Sequence, residues 1–138
     1  MDNGTGSAYG VLANSVFGDT LPYVIQALSK YIPPEMLDEL ANNESPFVRQ
    51  CVASNESATV EILDKLAEDT DMCIKFQVAI NPNTSGETLT KLADNEDLSL
   101  KKIVAANTSC PELVRLWINN GGFAGLTLAE FIEKMSNE

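Results

Sequence analysis

The sequence has no histidine and only nine basic residues against twenty acids, a net charge of −11 over 138 residues. Without imidazole, His-based catalytic triads, His-ligated metals and His pH switches are excluded. The acid excess argues against direct binding to nucleic acid, which needs a basic face to displace counterions from phosphates. The three cysteines, Cys51, Cys73 and Cys110, form no CxxC pair. A zinc or iron–sulfur site is therefore not expected, and they read as small, semi-buried side chains in a reducing cytoplasm. No apolar run approaches the ~20 residues of a membrane span, and the first residues lack the basic and apolar regions of a signal peptide. The expectation is a soluble cytoplasmic protein that binds no membrane. There is also no phosphate-cradling glycine loop and no nucleophile–base pair, so no enzymatic activity and no cofactor are expected.

What is present is a repeat. Leu37, Leu63 and Leu89 are spaced by 26, as are Leu40, Leu66 and Leu92, each followed by alanine. Val52, Val78 and Val104 keep the interval, again with a following alanine, and so do Asn55, Asn81 and Asn107. Self-similarity at a fixed period marks arrays in which each unit leans on its neighbours.

Each unit divides into two short helices. The first is expected near Pro34–Asn42, Val60–Glu68 and Gly86–Asp94, with leucines at i, i+3 spacing on one buried stripe. Thr59 and Ser85 are candidate N-caps, and Pro34 and Pro111 suit the first helical position. Glu35, Glu61, Glu87 and Glu112 fall in the first turn, where the helix dipole favours an anion, so this column needs no catalytic role. The second helix is expected to start after Ser45, Asp71 and Asp97 and to end at the asparagines. Asn tolerates the left-handed conformation that closes helices, and a row of Asn amides can bond neighbouring backbone.

The pattern hydrophobic-[Arg/Lys]-x-x-Val-Ala-x-Asn, then Pro-x-Thr-x-x-Glu-x-Leu-x-x-Leu-Ala, runs through Ile74–Ala93 and resembles the leucine-rich repeat variant family. The resemblance covers about residues 33–118 and departs at Glu56 and Thr108, which stand where the pattern has proline. It implies a right-handed superhelix of alternating α- and 3-10-helices, leaving one helix of each pair open to being 3-10. It implies no shared enzymatic activity. The cysteine-bound cluster of some members has no matching cysteines here.

The expected architecture is an all-α, right-handed α-solenoid with helical caps. Residues 1–10 are a flexible leader, 11–32 an N-terminal cap, 33–118 three and a half repeats, and 119–138 a C-terminal capping helix. In the N-terminal cap, Thr20–Ile32 should form a helix with Leu21, Ile25 and Leu28 on one side, and Ala8–Phe17 a further one. Trp117 and Phe123 are expected as end-cap core. Gly121-Gly122 reads as a turn, and Thr127 to Glu130 as a capping box.

Two charged columns are candidate sites. Arg49, Lys75 and Lys101, with Lys102 adjoining, would form a basic stripe that either contacts an anion or nucleic acid or pairs with acids such as Glu68, Asp71 and Asp97. Glu44, Asp69, Asp71, Asp94, Glu96 and Asp97 fall in the turns between paired helices and would form an acidic ridge. The ridge is either solvated charge or a surface for a basic protein partner. Calcium is not expected there, since EF-hand spacing is absent. The expected function is a protein-interaction module. The second reading is an acidic, antitoxin-like inhibitor that mimics nucleic acid before a basic partner.

Overall fold

A computed structural model describes residues 18–122 and 125–138 of the chain. Among these residues every regular element is helical, so the fold is all-α. A 3-10 turn at Gly18–Thr20 leads into α1 (Leu21–Ala27). Then come three helix pairs: α2 (Pro34–Leu40) with α3 (Pro46–Ser54), α4 (Val60–Leu66) with α5 (Met72–Ile80), and α6 (Gly86–Ala93) with α7 (Leu98–Ala106). α8 (Glu112–Asn119) and α9 (Leu128–Ser136) close the described chain. The leader 1–10 and the expected helix Ala8–Phe17 lie outside the described residues, as does Phe123.

At seven to nine residues, these helices are too short to persist alone in water. Burial supplies what propensity does not. α1 packs on α3, α3 on α5, α5 on α7, and α7 on α8. The in-step residues form the interior: Leu37, Leu63 and Leu89 are fully buried, as are Val52, Val78 and Val104. Each such side chain contributes about 1.5–3 kcal/mol on leaving water. The alanines after the valines in α3 and α5, Ala53 and Ala79, are buried where a larger side chain would hold neighbouring backbones apart.

The helix starts follow their caps. Thr59 accepts from the Ile62 N–H and Ser85 from the Thr88 N–H. Asp71 and Asp97 cap α5 and α7 through the N–H groups of Cys73 and Leu100. Ser45 holds the same place before α3 but makes no side-chain cap bond. Pro34 opens α2 as expected, whereas Pro111 is the N-cap of α8 and not its first residue.

Three further expectations are corrected. Both helices of each pair are α-helical, and i→i−3 bonds occur at their ends, as from Met36 N to Pro33 O where α2 opens and from Asn42 N to Glu39 O where it closes. The closing asparagines are extended, with φ of −73°, −64° and −71°, not left-handed, because their side chains terminate the helix by another route described below. Finally, α1 ends at Ala27 and turns Val24 and Ala27 inward, leaving Ile25 and Leu28 61% and 60% exposed. The small Ala27 admits the close approach of α3, so the bulkier stripe faces out.

The C-terminal end behaves as the sequence implies. Gly122 N bonds Trp117 O and Gly121 N bonds Ile118 O, with both glycines left-handed at φ 81° and 67°. This is a Schellman closure of α8. Trp117 is buried, its indole N–H donates to Leu126 O at 3.2 Å, and the Lys101 ammonium lies 4.9 Å from its ring centre. Thr127 and Glu130 form the capping box that starts α9. The two Thr127 hydrogen bonds hold the Glu130 carboxyl below its ordinary pKa.

Candidate functional site

The side chains at the candidate positions are tied first to the backbone. Asn81 is buried; its amide donates to Ala53 O and Asn55 O at 2.9 and 3.0 Å, while its oxygen accepts from Asn83 N at 2.9 Å. Asn107 repeats this on Ala79 O and Asn81 O at 2.8 and 3.1 Å, and Asn55 on Ala27 O and Ser29 O at 2.7 and 2.9 Å. These carbonyls belong to helix ends, where four acceptors have no intrahelical donor. Each asparagine thus satisfies the end of the helix before it, which is why it is extended and inward-facing.

The row has a different last member. Ala105 O and Asn107 O, the next carbonyls in step, accept from the Arg115 guanidinium at 3.0 and 3.1 Å. The next position in the asparagine column is Glu133, an acceptor that cannot serve them. Arg115 also donates to Cys110 O and pairs with Glu112. Sequence reading missed this role; the missing asparagine was the available signal.

The expected basic stripe is largely committed within the chain. Arg49 bonds Asp69 Oδ2 at 2.7 Å and donates to Asn43 O and Glu44 O, not to Glu68 or Asp71. Lys75 Nζ donates to Ala67 O at 3.0 Å, at the end of α4. Lys101 is engaged with Trp117, and Lys102 beside it is exposed.

The expected acidic ridge divides in two. Asp69 accepts from Asp71 N at 2.9 Å in a turn that Asn43 and Asn95 repeat on Ser45 N and Asp97 N. Burial pushes the Asp69 carboxyl up, but the Arg49 guanidinium and the Asp71 N–H outweigh it and hold the pKa below its ordinary value. Asp71 and Asp97 are spent as caps. Glu44, Asp94 and Glu96 remain exposed at the same turns. Burial raises the Cys51 and Cys110 thiols, which therefore stay protonated, while Cys73 is exposed.

Two clefts lie at the two ends. One of about 540 Å³ separates α1 from α2 and the turn after it. Another of about 540 Å³, between α6 and α9, is lined by Thr90, Leu128 and Ile132 with charges at its rim. No helix among the described residues is long and apolar enough to cross a membrane, and no three metal-ligating side chains converge there. Compared with protein-family models, curated proteins and solved structures, the chain matches none.

Proposed function

We propose that the chain is a right-handed α-solenoid of 26-residue helix pairs, related to the leucine-rich repeat variant proteins, that acts as a non-enzymatic protein-interaction module in the cytoplasm. The in-step burial and the Asn55, Asn81, Asn107 row support the repeat arrangement. One observation carries the functional reading: Tyr23, Ile25, Leu28 and Tyr31 are each exposed in and just after α1. Apolar side chains exposed at one end of a helical array, beside acids, suit a partner protein's surface better than water.

The test is salt and substitution together. A captured partner should remain bound at about 1 M salt, where exposed charges are screened beyond ~3 Å, and should be lost from the Ile25→Asp, Leu28→Asp double variant. A partner indifferent to both substitutions overturns the reading. The second reading, an acidic inhibitor mimicking nucleic acid, is favoured by exposed Glu44, Asp94 and Glu96, which make no ion pair among the described residues. It expects binding that collapses with salt and is competed by DNA.

A further inference from the structure

The cleft between α1 and α2 has a counterpart further along the chain, and comparing the two shows what is absent from it. Its walls carry Tyr23, Glu39, Leu40 and Asn43. Fifty-two residues on, the cleft between α5 and α6 carries Lys75, Lys91, Leu92 and Asn95 at the same places, in about 230 Å³. The hydrogen bonds fix this alignment: Ala27 O and Ser29 O receive Asn55 as Ala53 O and Asn55 O receive Asn81. In the intervening position, Arg49 stands where Tyr23 does, with its guanidinium on Asp69, the counterpart of Asn43. The two later positions therefore hold cations supplied by the chain. The first has a tyrosine in place of one cation and Glu39 in place of the other, Lys65 or Lys91.

The remaining lining deepens the contrast. Asp19 and Glu44 bring further negative charge, and Met36 and Leu40 give an apolar floor. Asp19, Glu39 and Glu44 make no ion pair among the described residues, and residues 1–17 contain no lysine or arginine.

We infer that the cleft between α1 and α2 receives an arginine side chain of the partner protein, which takes the place that Arg49 and Lys75 hold at the later positions. Guanidinium suits it better than ammonium. Its planar fork pairs with a carboxylate such as Glu39 or Glu44, its flat face stacks on Tyr23, and its stem lies against Met36 and Leu40. This deepens the interaction-module reading and rests on it.

The experiment uses the full chain and a tetra-arginine peptide, with tetra-citrulline as the uncharged, near-isosteric control. Backbone amide shifts are followed by NMR during titration. Tetra-arginine should move the amides of Tyr23, Glu39 and Glu44 well before those of Glu68, Asp94 and Glu96, and tetra-citrulline should move none. The Tyr23→Arg, Glu39→Lys double variant restores the later positions' residues and should weaken tetra-arginine binding at least tenfold, with the helical circular dichroism unchanged. Should the double variant lose its helicity, Glu39→Gln alone must give a loss of threefold or more. Shifts spread evenly over all the acids, or equal affinity in the folded variant, overturn the inference. The partner's response to Ile25→Asp, Leu28→Asp is scored separately, so either idea can fail while the other stands.

Discussion

Replacing Asn81 with alanine isolates the contribution of the asparagine row at its centre. The side chain makes three hydrogen bonds, at 2.9 and 3.0 Å to buried carbonyls and 2.9 Å from Asn83 N. Each contributes about 0.5–1.5 kcal/mol net, and leaving an acceptor buried and unpaired adds to the loss. With some relaxation toward water, the expected destabilisation is about 3 kcal/mol, or roughly 10 °C in melting temperature for a domain of this size. Asn81→Asp sharpens the test. It keeps the acceptor for Asn83 N but turns an anion toward Ala53 O and Asn55 O, so it should be worse than alanine at pH 7. Urea unfolding followed by far-UV circular dichroism measures both variants. A loss below about 1 kcal/mol for alanine, or an aspartate variant as stable as the parent, refutes the assignment of the amide as the donor that closes α3.

Arg115→Met strips three carbonyls of their donor while keeping much of the apolar stem; a loss of about 2 kcal/mol is expected in the same assay, and Arg115→Lys should recover only part of it. The Asp69 carboxyl has a depressed pKa in the folded state, so its contribution is present above the ordinary value of ~3.9 and is lost as pH falls through the lower folded value. The stability difference between the parent and Asp69→Asn, which preserves the turn as Asn43 and Asn95 do, should therefore be constant from pH 7 to about 5 and shrink toward zero below ~3.9; a difference independent of pH down to about 2.5 contradicts the Arg49 pairing. Thr127→Ala removes the capping box and should cost about 1 kcal/mol, with amide exchange accelerated first in α9.

Most of the core was legible because burial follows periodicity. Leu37, Leu63 and Leu89 recur in step, and a side chain that meets the same neighbours three times has the same fate three times. Regularity was also where prediction failed, at the ends. In α1 the bulky stripe Leu21, Ile25, Leu28 looked like a core face, but the contact with α3 is governed by Ala27 and its carbonyl, a backbone feature that hydrophobicity does not report. Arg115 was overlooked for a related reason: its role is set by what the asparagine column lacks at Glu133. The acids at the turns differ in what they bond. Charge counting placed six acids at the turns but could not tell that Asp69, Asp71 and Asp97 are engaged with backbone N–H groups while Glu44, Asp94 and Glu96 face solvent.

The amides of Asn55, Asn81 and Asn107 all reach toward lower residue numbers, which gives the row a direction. Shortening from the C-terminus leaves carbonyls newly open to solvent, and water accepts them readily. Shortening from the N-terminus bares the amide of the first remaining asparagine, and water receives it as readily. Either cut gives up the same pair of bonds, and any lengthening by duplicated units should begin where Arg115 now seals the row.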